Sequence, residues 1–384
     1  MPETTIHPPF EKLLAILRCP RDRSPLSLIS LSSLLERLPD VERRRVPEGT
    51  AGAFVSESSL TAYPIVGRIV DFLEQDSLRL SGGRNEVRPG TDPESASIQR
   101  SVKRWYDEFG WRRNENGTYH DTALFSQAAP TAHGFYELSS HLSMLGRLSG
   151  GGFLLDAASG ALAHAESMAY SWFYECRVCV DISATALLEA DAKLEGRGFC
   201  CMADIGHLPF RDGVFGAVVS AYTIQHIAES RQSRAVAELY RVLEPGGHLC
   251  IVSAVRRPWA HRALVLLLRA IRTVLNLLST GRPAVVSRSR GASASSLPPH
   301  ELYFHGRDRG WWRRVARGLT RAYSVEGLRL FRKSEFELLF GDSMRAATCV
   351  RALEALFPRI TAGMCTILLV DMQKGPSKGS DVKP

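Results

Sequence analysis

The sequence predicts an α/β protein built on a doubly wound, mostly parallel sheet, and three observations carry that expectation. From Phe153 onward the chain alternates short apolar runs with amphipathic helical stretches. The runs are continuously apolar, as strands are when helices cover both faces of a parallel sheet. The turn after the first run is made of very small residues, which suits the carboxyl edge of such a sheet, where ligands bind.

Taken in order, residues 1–75 read as a small separate module with a helical "FEKLLAIL", a turn "RCPRDRSPL" and a closing strand pair in "LTAYPIVGRIVDFL". Residues 76–97, "SGGRNEVRPGTDPES" among them, lack apolar periodicity and read as a linker. A helical cap is expected over 98–149, interrupted by the aromatic "WYDEFGWRRNENGTYHD". The core, 150–255, supplies five strands: "FLLDA", "RVCVDI", "FCCMADI", "GAVVSAY" and "HLCIVSA", with helices in "ATALLEADAKLE" and "SRQSRAVAELYRVL". Residues 256–324 form an arginine-rich helical insertion with a flexible loop at 279–299, residues 325–374 add strands and a helix, and 375–384 read as a disordered tail.

Composition narrows the class. With 45% hydrophobic and 23% charged residues in 384, the chain is an ordinary globular protein with a sizeable core. The opening "MPETTIHPPF" is polar, and "LLAIL" is too short for a secretory core or a membrane span, so a cytoplasmic location is expected. Eight cysteines stand singly or in doublets, as free thiols in a reducing compartment do. Cys176 and Cys179 lie on one predicted strand, so their side chains point to opposite faces and make no metal pair. Between Val255 and Lys333, 16 Arg and 1 Lys face only Glu301, Asp308 and Glu326, a local balance of +14, which leaves −6 for the rest of a chain of net charge +8. Such a region suits anionic lipid, nucleic acid or an acidic substrate, or is a solvated arginine face.

Within the insertion, "RPWAHRALVLLLRAIRTVLNLLSTG" places Arg262, Arg269, Arg272, Thr273 and Asn276 in one arc of a helical wheel. The remaining face is broad and apolar, so the helix is expected to bury most of its surface. Its internal arginines argue against a membrane span.

The turn "DAASGA" holds Asp156, Ala157, Ala158, Ser159 and Gly160, small enough for close approach of a ligand to backbone amides. Gly160 is the residue placed for a positive φ. Asp181 ends the second strand 25 residues after Asp156, where an acid accepts from the hydroxyls of a ribose; the other reading is a helix N-cap, for which Ser183 competes. His226, in "YTIQHI", is either a general base for a phenol, enol or hydroxyl or a packing residue of the next helix. Tyr106, Trp111 and Tyr119 are either a lid or core aromatics.

Downstream, Asp204, then "LPFRDGVF" at 208–215 and "LEPGG" at 243–247 stand in order. This array resembles the class I S-adenosylmethionine-dependent methyltransferases, in the group that includes the quinone C-methyltransferases, over about residues 150–255. The resemblance implies a seven-stranded Rossmann-like sheet and S-adenosylmethionine as cofactor. It implies Asp156 to Gly160 beneath the methionine end, Asp181 on the ribose, Ile182 on the adenine, Asp204 accepting from the adenine amino group beside Ile205, and Ser220, Ala221 and Tyr222 near the sulfonium. Where the family pattern is D-x-G-x-G-x-G, this chain has Ala158 and Leu162 at the first and third glycines. The N-terminal module resembles a zinc ribbon reduced to Cys19, with Asp22 at the second ligand position, and is read as metal-free.

These features imply methyl transfer to a small apolar acceptor, with peripheral contact to anionic membrane through 256–321 as a further expectation. RNA methylation and a non-catalytic partner that keeps the fold are the other readings; the first lacks a recognisable nucleic-acid motif. A nicotinamide dehydrogenase does not account for "LPFRDGVF" and "LEPGG".

Overall fold

The computed structural model describes residues 9–83, 92–125, 131–142, 144–280 and 300–376. The expected loop at 279–299 and the tail from 375 lie almost wholly outside those residues.

Twelve strands form one sheet: β1 (Ser27–Ser30), β2 (Thr50–Ser56), β3 (Thr61–Val66), β4 (Ile69–Asp71), β5 (Leu78–Arg79), β6 (Gly151–Ala157), β7 (Tyr174–Asp181), β8 (Gly198–Met202), β9 (Phe215–Ala221), β10 (Leu243–Ala254), β11 (Tyr323–Arg329) and β12 (Ile367–Gln373). The five apolar runs of the core each became a strand, β6 to β10. Their order is β8-β7-β6-β9-β10-β12-β11, with β12 antiparallel to both neighbours. The expectation of a seven-stranded, mostly parallel sheet is corrected: β1 to β5 extend it at the β8 edge, and among the described residues six strand pairings are antiparallel and five parallel.

The physical reason is β4. Ile69–Asp71 pairs in parallel with Cys200–Met202, and the Phe72 amide donates to the Met202 carbonyl at 2.8 Å. An edge that would otherwise face water is thereby covered. The N-terminal module is therefore no separate unit: Leu13, Leu17, Phe54 and Tyr63 share one apolar core with Leu155, Val178 and Val218. Arg23 adds a bidentate pair with Glu238 at 2.9–3.0 Å. Where a ribbon would hold metal, hydroxyls and a thiol bond one another. The Cys19 thiol lies 3.2 Å from the Tyr63 hydroxyl and 3.5 Å from that of Ser59, while Ser24 bridges Asp22 and Ser56 at 2.7 Å each. Cys176 packs in the main core and Cys179 in the cluster on the opposite face, as strand alternation requires.

Two helical expectations change. Between β6 and β7, where strand–helix alternation predicts an α-helix, the chain forms a short 3-10 stretch, Ala165–Ser171. The insertion helix, Trp259–Thr280, buries only part of its apolar surface. Its inward stripe is His261, Leu264, Val265, Leu268, Arg272 and Asn276, whereas Trp259 is 83% and Leu278 80% exposed. The arginine and asparagine expected on the solvent side instead meet the protein, where Arg272 donates to the Leu338 carbonyl.

Candidate functional site

β6 lies where the sheet reverses its order, between β7 and β9, and the carboxyl ends of such strands frame a binding crevice. The turn from Asp156 to Leu162 sits there. Its amides are not directed outward as the sequence suggests: Ala158 and Ser159 donate to the Val180 carbonyl at 2.6 and 3.1 Å, and Gly160 donates to the Asp181 carboxylate at 2.9 Å. The end of β7 consumes three donors. To do this the backbone adopts φ of +59° at Ala158, +56° at Gly160 and +47° at Leu162. These are the three glycine positions of the family pattern. Only Gly160 takes the conformation freely; at the other two the left-handed region costs on the order of 1 kcal/mol each. Lys193 steadies the turn by donating to the carbonyls of Ala161 and Leu162 at 2.6 and 3.1 Å.

Each predicted acid is engaged. Asp156, buried, is paired with the buried guanidinium of Arg177 on β7, which also donates to the Ser167 carbonyl at 2.8 Å. Asp181 is buried and accepts from the amides of Gly160 and Ser183, both at 2.9 Å. Burial pushes its pKa up to about 6, against the lowering effect of those amides. The helix that follows, Ala184–Leu194, is capped by the Ser183 hydroxyl, so the cap role considered for Asp181 falls to Ser183. Asp204 accepts from the Gly206 amide at 2.8 Å and is paired with Arg231, with His207 at 3.5 Å. Despite its burial, those partners hold its carboxyl well below the usual carboxylate range. Asp204 is thus held in place, with Arg231 on one oxygen and the Gly206 amide on the other. Ile182 is half-buried beside Leu162 and Leu187, and Ile205 is in the main core.

At the end of β9, Ser220 is buried with a hydroxyl that has no hydrogen-bond partner among the described residues. Ala221 and Tyr222 follow, half-buried. Tyr222 holds φ at +56°, a strained value for a bulky side chain. Its hydroxyl accepts from Arg329 and lies 3.2 Å from His141 Nε2, while Arg329 pairs with Glu137 at 3.0 Å. Burial drives the His141 pKa down to about 3, so this imidazole is neutral at physiological pH.

Above the turn lie the lid candidates. A Cβ added to Gly160 would stand 2.5 Å from the Trp111 ring. Trp111 stacks on Tyr106 with centroids 5.5 Å apart and meets Tyr119 edge-on at 5.9 Å. Tyr106 in turn meets His226 edge-on at 6.3 Å, and Phe304 closes the other side of that imidazole at 6.0 Å. His226 Nδ1 lies 2.8 Å from the Tyr303 carbonyl, which can only accept, so the hydrogen is on Nδ1 and Nε2 carries the lone pair. Burial lowers its pKa to about 4. The imidazole can accept a proton, but as a weak base.

Sequence reasoning did not find Arg177, Arg231, Arg329, Glu137 or His141. Only Arg177 left a signal, as a charge inside the apolar strand "ECRVCVD".

Residues 155–251 match the family of the methyltransferase domain. A demethylmenaquinone methyltransferase from Chlamydia trachomatis is 30% identical over 144 residues, which cover 35% of this chain and 61% of that one. One from Thermus thermophilus is 40% identical over 78 residues, 20% of this chain and 34% of its own. The chain thus spans about three-fifths of the first of these relatives and a third of the second. Among solved structures, Haemonchus contortus phosphoethanolamine N-methyltransferase 2 in complex with S-adenosyl-L-methionine aligns with a TM-score of 0.42 and 16% identity, over 70% of this chain and 60% of that one.

Proposed function

We propose, from a chain whose residues 155–251 match the methyltransferase domain, that the protein is a class I S-adenosylmethionine-dependent methyltransferase that transfers a methyl group to a small apolar acceptor. The observation that carries this reading is the junction of Gly160 and Asp181. A glycine at positive φ, flanked by side chains no larger than serine, donates its amide to a buried carboxylate at the end of the next strand.

These residues fit the cofactor in their chemistry. Each Asp181 oxygen uses one lone-pair direction on a backbone amide and keeps another for a ribose hydroxyl. The buried Ser220 hydroxyl, without a partner among the described residues, offers a donor and acceptor at the end of β9, on the other side of β6 from Asp181. Asp156, bound to Arg177, shapes the turn rather than touching the ligand, and Asp204 holds its loop through Arg231. When bound, the cofactor supplies an electrophilic methyl on a sulfonium.

The chain's own part is orientation and exclusion of water. Tyr106 and Phe304 set their rings against His226, and Trp111 stacks on Tyr106, an aromatic cluster suited to an apolar, planar acceptor. The names of the relatives, which act on demethylmenaquinone, support the same class. With its Nδ1 hydrogen held by Tyr303, His226 carries its lone pair on Nε2, 3.4 Å from the Gln225 side-chain nitrogen; an acceptor hydroxyl would take that amide's place, and at a pKa of about 4 the imidazole positions the hydroxyl and withdraws its proton only as carbon or oxygen becomes methylated.

Labelled methyl transfer from S-adenosylmethionine to a reduced demethylnaphthoquinone tests the reading. Transfer that falls at least tenfold in kcat with His226→Phe, with KM for the cofactor unchanged, supports it. Failure to methylate any quinol by a protein that binds the cofactor overturns the acceptor class.

A further inference from the structure

The helix Trp259–Thr280 is apolar on two sides. Leu264, Val265 and Leu268 pack inward beside His261, Arg272 and Asn276, yet Trp259, Leu266, Leu267, Ile271, Val274 and Leu278 face outward. An amphipathic surface helix normally keeps its outer face polar. Contiguous apolar surface of this extent marks an interaction site. Twenty-two residues at 1.5 Å each make a stripe roughly 33 Å long. No helix among the described residues is long and apolar enough to cross a membrane.

We infer that this face docks in the plane of an anionic lipid bilayer. Charge decides the occupant. Residues 256–280 contain five arginines and no acid, and Arg262 and Arg269 are exposed along one border of the apolar stripe. Where the helix begins, Arg256 and Arg257 share a cleft with Arg309 and Gly363, and the helix Arg309–Leu319 adds exposed Arg313, Arg314 and Arg317. An apolar face bordered by cations is what the headgroup boundary of an anionic leaflet accepts. A second copy of the chain would set the arginines of one stripe against those of the other, with no carboxylate on either helix. The adjoining residues 281–299 carry three more arginines and, as large apolar side chains, only Val285, Val286 and Leu297, too few to cover the stripe. The inference does not depend on the methyltransferase reading, because it uses neither the turn nor the lid.

Flotation of the full chain with vesicles tests it, using phosphatidylcholine alone and phosphatidylcholine mixed with phosphatidylglycerol. The expected result at low salt is retention on the mixed vesicles, falling about tenfold or more on the neutral ones. Leu267→Asp with Leu278→Asp should abolish retention, and Arg262→Glu with Arg269→Glu should weaken it, each with the melting temperature kept, since all four side chains are exposed. Equal retention of wild type and the leucine variant would overturn the inference and leave only diffuse charge attraction. So would a wild-type dimer that the leucine variant converts to monomer, without vesicle binding by either.

Discussion

The ring of Trp111 lies against Gly160, with Cζ2 only 2.5 Å from where a Cβ on that glycine would stand. The glycine is required twice over, by its φ of +56° and by the ring above it. Because the same face is where the turn would receive the cofactor, ligand and ring compete for it. Binding of S-adenosylhomocysteine should therefore shift the Trp111 ring and change the tryptophan fluorescence. The change should vanish in Trp111→Phe, and Trp111→Ala should bind faster in stopped-flow mixing. A signal that persists in Trp111→Phe would place the moving ring elsewhere.

Ala158 and Leu162 occupy left-handed backbone without being glycine. Ala158→Gly should relieve that conformation and raise stability by up to ~1 kcal/mol, less the entropy glycine adds to the unfolded chain. Urea melts of Ala158→Gly would read this directly. A loss of stability would show that the side chain's packing outweighs the strain.

The pair of Asp156 and Arg177 is buried, and breaking one half leaves the other charge without a partner. Arg177→Met should cost on the order of 3–5 kcal/mol. Asp156→Asn with Arg177→Met should recover a large part of that loss, because no uncompensated charge then remains. Additive losses in the double variant, measured by the same melts, would contradict a coupled pair.

His141 gives a signed pH dependence. Its folded pKa, about 3, is below the ordinary histidine value, so in acid the unfolded chain binds a proton that the folded one refuses. Stability contributed by the neutral imidazole is present above about pH 6.5 and is lost as pH falls toward 3. At pH 4.5 the loss from this group is ~2–3 kcal/mol. His141→Gln should flatten the fall of stability between pH 7 and pH 4.5, whereas an unchanged slope would assign that fall to other groups.

The half of the sheet from β6 to β10 was legible because continuous apolar runs such as "AVVSA", alternating with helical stretches, suit buried parallel strands, and β6 to β10 fall where those runs stand. The extension by β1 to β5 was not. It depends on the parallel pairing of Ile69–Asp71 with Cys200–Met202, two segments far apart in the chain whose own patterns carry no mark of each other. The insertion helix misled for a different reason. Periodicity reports which faces are apolar but not which way they turn, and here the partner of the apolar face is not among the described residues. In the site, Gly160 and Asp181 stood out by spacing, and the aromatics could be named without being located. What spacing could not convey is engagement: Asp204 is held by Arg231, 27 residues away, and nothing in either segment marks the pair.

Whether the turn at Gly160 cradles the cofactor is tested most directly by calorimetric titration with S-adenosylhomocysteine. The wild-type chain should give saturable heat with one site per chain, affinity should weaken as pH falls through about 6 and Asp181 takes a proton, and Ala158→Gly should bind as wild type does. Gly160→Val, folded by circular dichroism, should give no heat, because its side chain meets Trp111 in a backbone conformation that valine resists. Normal binding by Gly160→Val would contradict the cradle, and no heat from the wild type at millimolar ligand would mean that the fold is kept without its cofactor.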